Sequence, residues 1–189
     1  ITLFNDYTSG SGTWDNVKFH RAVEDRSVNR NPFRVFGTLT RSFVDTNSEL
    51  VGYGGFTNND YLRQPYNSGL EFGNGDFSVT WWQYISGDIN GSEYVYDRQG
   101  NNGHRHAVYY SNNDNGRMNF YTNDGSTSEM YAEDINKYKN QWTCYTAARY
   151  GNGDMTLFIN GEVGYAATGL TVRNMNNSNA ELFIGVRHS

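Results

Sequence analysis

A chain of 189 residues with 37% apolar and 19% charged residues is long enough to bury one core, and no apolar run approaches the ~20 residues that a membrane helix requires, which argues against membrane insertion. The net charge of −5 arises from acidic and basic residues mixed along the chain, so no cationic stripe exists for a phosphate backbone and nucleic acid is not an expected partner. Cys144 is the only cysteine, which excludes an intrachain disulfide and a zinc site built from several thiolates.

Residues 1–51 carry several of the arginines and lack dense turn signals, and they read as an extended or irregular N-terminal arm, an attachment segment. Residues 52–189 read as one antiparallel β-sandwich. There, short runs rich in Tyr, Phe, Val and Thr alternate with Asn/Gly/Asp clusters, asparagine outnumbering even the 21 glycines. Strands are expected at 61–63, 77–85, 93–98, 105–110, 118–122, 129–134, 142–150, 155–159, 163–167 and 182–186. Within 142–149 the alternating set Trp142, Cys144, Thr146 and Ala148 reads as the inward one. Trp81, Trp82 and Phe158 are also assigned to the core. Asn160-Gly161 between Leu157-Phe158-Ile159 and Glu162-Val163 predicts a type I′ hairpin, because both central residues tolerate left-handed dihedrals.

Several segments, in order, resemble the concanavalin A-like, laminin-G-like superfamily that includes pentraxin-type modules. Gly55-Phe56 through Asp60-Tyr61-Leu62 is similar to its opening Phe-Asp-Gly…Tyr-Val/Leu strand, and Gly75-Asp76-Phe77-Ser78-Val79-Thr80-Trp81-Trp82 to its Asp-Phe-Thr-Ile-x-x-Trp strand. Trp142 with its strand, Leu157-Phe158-Ile159-Asn160-Gly161 and Leu182-Phe183-Ile184-Gly185 resemble the later blocks. The resemblance implies an all-β, antiparallel jelly-roll sandwich, here stopping short of a last strand after residue 186. The stretch from Gly55 to Phe77 also resembles laminin-G-like modules in tail and virion proteins of marine bacteriophages, which implies a part of a virus particle held to its assembly by the arm.

The glycosidases of this superfamily present Glu-x-Asp-x-x-Glu on one strand, and that motif does not occur in the chain. Glu129 and Glu133 fall on one face of an expected strand but some distance apart, and they read as solvated carboxylates. His104 and His106 alternate at a hairpin edge and read as surface residues without metal. Many relatives bind calcium in a rim loop, for which Asp88, Asn90, Asn112, Asn113, Asp114, Asn123 and Asp124 supply oxygen ligands, although the same residue types also make turns. Sugar recognition combines an aromatic face with amides and carboxylates. Tyr84, Tyr94, Tyr96, Tyr109, Tyr110, Tyr121 and Tyr131 lie near these loops, and half of any alternating strand faces the core.

The reading that follows is a non-enzymatic, lectin-like adhesion module, virion-borne or otherwise extracellular, repeated on an oligomer or shell so that weak contacts add. Its ligand, cell-surface glycan or host receptor, is expected at a loop rim of Asp88, Asn90, Tyr94, Asn112, Asn113, Asp114, Tyr121, Asn123 and Asp124. The alternatives are a decorating or cementing subunit that contacts its assembly through residues 1–51, and a polysaccharide-degrading enzyme.

Overall fold

The computed structural model describes residues 30–46, 51–87, 91–100, 102–111 and 116–187, without the Glu133 side chain. Among these, strands run in chain order as β1 (Arg34–Phe36), β2 (Thr40–Phe43), β3 (Val51–Gly54), β4 (Tyr61–Gln64), β5 (Phe77–Tyr84), β6 (Ser92–Gln99), β7 (Arg105–Ser111), β8 (Arg117–Asn123), β9 (Thr127–Asp134), β10 (Trp142–Arg149), β11 (Met155–Ile159), β12 (Glu162–Ala167) and β13 (Glu181–Ile184). Each of the ten strands expected from residue 61 onward is found, with bounds shifted by no more than two residues. The Asn160-Gly161 turn has the anticipated positive φ of 52° and 87° at its two residues. Asn160 Oδ1 also accepts the Cys144 N–H at 3.0 Å, tying the turn to β10. No helix among the described residues is long and apolar enough to cross a membrane.

Two antiparallel sheets face each other: a seven-stranded one in the order β1-β4-β13-β6-β7-β8-β9 and a four-stranded one in the order β12-β11-β10-β5. The run β6 to β9 is a meander of consecutive hairpins, whereas β4 and β13 meet from distant parts of the sequence. Within residues 1–51, β1 pairs with β4 at the edge of the large sheet, and β2 pairs with β3 in a separate ribbon. That ribbon rests on Trp142: the indole N–H donates to Val44 O at 2.8 Å, and a Cβ on Gly52 would lie 3.1 Å from the indole ring.

The core lies between the inner faces. Tyr96, Val108, Tyr110, Met118, Phe120, Met130 and Ala132 from the large sheet meet Phe77, Tyr145, Ala147, Met155, Leu157 and Ile159 from the small one. All four methionines are buried there, as a flexible side chain suits the irregular space between curved sheets. The phase of β10 is opposite to the one expected. Thr143, Tyr145, Ala147 and Arg149 point inward, and Trp142, Cys144 and Thr146 lie on the outer face with Trp82, which is 65% exposed. Phe158 lies in that same outer row, paired with Thr146, and of the four aromatics assigned to the core only Trp81 packs on it, stacked on Tyr145 at 5.5 Å. The phase is set by Arg149, whose buried guanidinium donates to Gly73 O, Gly75 O and Arg173 O at 2.5–2.9 Å and stands over the Phe77 ring.

A second buried arginine closes the same end. Arg98 pairs with Glu71 and donates to Met175 O and Asn177 O, while the other Glu71 oxygen accepts the Asn177 N–H. Segments 71–75 and 173–177 are thereby held across the sandwich by acceptors that two buried cations require. His106, 2% exposed, sits among Phe72, Phe77 and Tyr96 and is a core residue rather than a surface one. Burial, with the Arg98 and Arg149 charges behind it, lowers its pKa from 6.5 to about 3.

Between those two values the unfolded chain binds a proton that the folded chain refuses. Stability present above about pH 6.5 is therefore lost as the pH falls toward about 3, by at most ~1.4 kcal/mol per pH unit from this one group. Urea denaturation at pH 7, 5.5 and 4.5 should show a falling midpoint whose slope is flattened in His106→Phe; an unchanged slope would contradict a neutral buried His106.

Candidate ligand-binding site

The meander β6 to β9 sorts its residues by strand alternation. On β7 to β9 the inward sets are His106, Val108 and Tyr110, then Met118, Phe120 and Thr122, then Ser128, Met130 and Ala132. The outward sets are Arg105, Ala107 and Tyr109, then Asn119, Tyr121 and Asn123, then Thr127, Glu129 and Tyr131. A bulge between Tyr94 and Tyr96 changes the phase of β6, so that Tyr94 faces Tyr109 outward, Tyr96 faces Val108 inward, and Asp97 faces Ala107 outward. Two cross-strand rows result: Tyr94, Tyr109, Asn119, Tyr131 and, beside it, Asp97, Ala107, Tyr121, Glu129.

Asp97 has an outward position yet is 0% exposed. Arg105 covers it with a bidentate pair, Nε at 2.6 Å and an Nη at 2.9 Å, and the Arg105 side chain is itself only 11% exposed. The guanidinium lies 5.3 Å from the Tyr94 ring centroid and 5.4 Å from that of Tyr121, so one ion pair positions two aromatic faces. Tyr94 stacks on Tyr109 at 5.0 Å. The Tyr109 hydroxyl donates to one Glu129 oxygen at 2.5 Å and the Tyr131 hydroxyl to the other at 2.9 Å. Burial, together with the adjacent Glu129 carboxylate, raises the Tyr109 pKa and keeps the phenol a donor. Asn123 Nδ2 lies 3.0 Å from both the Tyr121 hydroxyl and Thr127 Oγ1. The product is a wall of four tyrosines with a carboxylate, an amide and a hydroxyl at its edge.

Of the site residues named from sequence, Tyr94, Tyr121 and Asn123 are brought together in this wall. Asp124 is turned elsewhere: one oxygen accepts the Asn174 N–H at 3.0 Å and the other lies 3.5 Å from Arg173. Asn123 Oδ1 accepts the Gly125 N–H of its own turn. These oxygens accept hydrogen bonds within the protein, and among the described residues no group of three or more His, Cys, Asp or Glu is placed to hold a metal. Asp88, Asn90, Asn112, Asn113 and Asp114 lie outside the described residues. His104 Nδ1 donates to Asn176 O at 2.9 Å, whereas His106 lies in the core rather than at the surface. Tyr96 and Tyr110 are core residues too.

Sequence reasoning missed the Asp97–Arg105 pair and the role of Glu129 as the acceptor shared by Tyr109 and Tyr131. A signal for them exists in the i, i+2 spacing of Arg105 with Tyr109 two steps on, Asn119-x-Tyr121-x-Asn123 and Glu129-x-Tyr131, which marks the outward set on three successive strands. Asp97 and Glu129 share a row but are three strand steps apart, about 14 Å, beyond the ~5–9.5 Å over which two carboxylates cooperate in glycoside hydrolysis. What the arrangement offers is stacking and hydrogen bonding. Removing the cation should be costly: Arg105→Ala takes the bidentate partner from the fully buried Asp97, with an expected loss of roughly 3–5 kcal/mol in urea denaturation, whereas Asp97→Leu combined with Arg105→Met should restore most of it.

The family described as the concanavalin A-like lectin/glucanases superfamily, a laminin-G-like family, matches residues 56–189. No curated protein matches the chain in sequence. Among solved structures, the binding domain of Paraclostridial Mosquitocidal Protein 1 superposes with a TM-score of 0.66 at 17% identity over 86% of this chain and 42% of that one. The receptor binding domain of botulinum neurotoxin D gives 0.66 at 18% identity over 86% and 41%. The binding domain of botulinum neurotoxin DC in complex with rat synaptotagmin II gives 0.62 at 17% identity, again over 86% and 41%. The chain thus spans less than half the length of these structures, and at such identities the likeness is one of fold. The strand order, the opposed antiparallel sheets and the match over residues 56–189 together mean that the chain belongs to the laminin-G-like family of the concanavalin A-like lectin/glucanase superfamily.

Proposed function

We propose that the chain is a non-enzymatic binding module that holds saccharide against the tyrosine wall of its larger sheet. The observation that carries this reading is the set Tyr94, Tyr109, Tyr121 and Tyr131, fixed in place by Arg105 and Glu129. A pyranose presents an apolar face that stacks on such rings and hydroxyls that pair with amide and carboxylate groups at the edge. The ring positions are set before a ligand arrives, which lowers the ordering cost of binding. The structural neighbours support a recognition role, being named as binding and receptor binding domains, one of them in complex with rat synaptotagmin II.

The site is open and shallow, so single contacts are weak and useful adhesion requires many copies, as on a virion or another extracellular assembly. The virion setting is supported by the resemblance of residues 55–77 to tail and virion modules. A second role, packing against neighbouring subunits, is favoured by the opposite face of the molecule. There Trp82, Tyr84, Trp142 and Val163 are exposed, and Ser78, Thr80, Thr146 and Thr156 contribute no charge.

The full 189-residue chain, displayed multivalently, should bind host-cell or arrayed glycans. Tyr131→Ala and Tyr121→Ala should each weaken binding by roughly tenfold, corresponding to ~1.4 kcal/mol of lost stacking, while Trp82→Ser on the other sheet leaves it unchanged. Binding should survive chelation of calcium. Loss of binding in Trp82→Ser alone would move the site to the opposite face, and a folded chain that binds no glycan would leave the packing role.

A further inference from the structure

On the face that carries the tyrosine wall, the charge beside the rings that no basic group among the described residues offsets is negative. Arg105 is the cation nearest the rings, but both of its hydrogen-bonding edges toward Asp97 are taken and its side chain is 11% exposed. A ligand carboxylate or sulfate that drew it outward would break both of its hydrogen bonds to Asp97, which is 0% exposed. Further along the face, Arg63 is held by Glu181 at 2.5 Å, and Arg34, opposite Arg63 on the edge strand β1, is five strand spacings, about 24 Å, from Tyr121. Arg117 lies at the far end of β8, four residues and about 14 Å from Tyr121, opposite Asp134 in the register. Glu129 is different: its two oxygens are bound by phenol hydroxyls, which are neutral donors, and among the described residues no basic group pairs with it. Its carboxylate is only half-buried and stands between Tyr109, Tyr121 and Tyr131, where a stacked ring would lie.

We propose that the site selects uncharged saccharides and rejects anionic ones, those bearing sialate, uronate or sulfate, because Glu129 repels them and Arg105 is committed to Asp97. This rests on the tyrosine wall being the saccharide site. Selectivity arises here from a repulsive element built into an otherwise permissive aromatic surface, since stacking alone distinguishes poorly between one pyranose and another. The hydroxyls of a neutral sugar can donate to the Glu129 lone pairs that the two phenols leave open, whereas an acidic substituent at the same place meets a like charge.

The test uses the full chain, displayed multivalently, against neutral gluco-, galacto- and manno-oligosaccharides and their sialylated, glucuronate-bearing and sulfated counterparts on the same support. At about 20 mM salt the acidic probes should bind at least ~10-fold more weakly than the neutral ones, and the gap should narrow at about 0.5 M salt, where the charges are screened. Glu129→Gln, which keeps an amide oxygen for one phenol and removes the charge, should narrow the gap at low salt in a chain that still unfolds cooperatively in urea. Acidic probes that bind as well as neutral ones, or a gap indifferent both to salt and to Glu129→Gln, would overturn the selectivity while leaving saccharide binding intact. A folded chain that binds neither class would instead overturn the saccharide reading itself.

Discussion

A carboxylate with no exposure on the outward row of a β-sheet has to be explained before anything else on that face. Asp97 is in that position because the bulge at Tyr94–Tyr96 advances β6 by one residue, and it is tolerable there because Arg105 meets it with two hydrogen bonds. The pair does more than neutralise. A guanidinium locked to Asp97 has its plane and position fixed, and the rings of Tyr94 and Tyr121 settle against it. From those two rings the order spreads by contact to Tyr109, then through Glu129 to Tyr131. A single buried ion pair is thus the origin of a surface whose visible part is aromatic.

The interior follows a related logic with the opposite outcome. Arg98 and Arg149 are almost fully buried, and their Nη groups donate mainly to backbone carbonyls of segments 73–75 and 173–177. Those segments have little regular structure, and the arginines give them a defined place at one end of the sandwich. Buried cations used in this way trade solvation for the positioning of loops. His106, held neutral nearby, makes that end of the molecule sensitive to acid.

Strand positions were legible in the sequence because apolar alternation and Asn/Gly turns coincide from residue 61 onward, and the Asn160-Gly161 hairpin because few other dipeptides accept its dihedrals. Strand phase was less legible. On β10 the two alternating sets each hold one large aromatic, Trp142 or Tyr145, and the deciding residue was Arg149, which looks like a solvent residue until its carbonyl partners are known. On β6 a bulge that alternation does not reveal divides Tyr94 and Tyr96 between surface and core, and on β7 alternation separates Tyr109 from Tyr110 without saying which of them is inward. Attention to Asn- and Asp-rich loops brought Tyr94, Tyr121 and Asn123 into view through their nearness to turns. It passed over Arg105 and Asp97, whose importance arises from pairing across strands that are eight residues apart in sequence.

The claim on which the rest depends is that ligand meets the outward faces of β6 to β9. Titration of the isotopically labelled full chain with a neutral oligosaccharide from the binding panel, followed by NMR, tests this most directly. The account predicts shift changes and saturation transfer at the Tyr94, Tyr109, Tyr121 and Tyr131 rings and the Asn123 amide. Changes confined to residues 88–90 and 112–114, or to Trp82 and Trp142 on the other sheet, would contradict it.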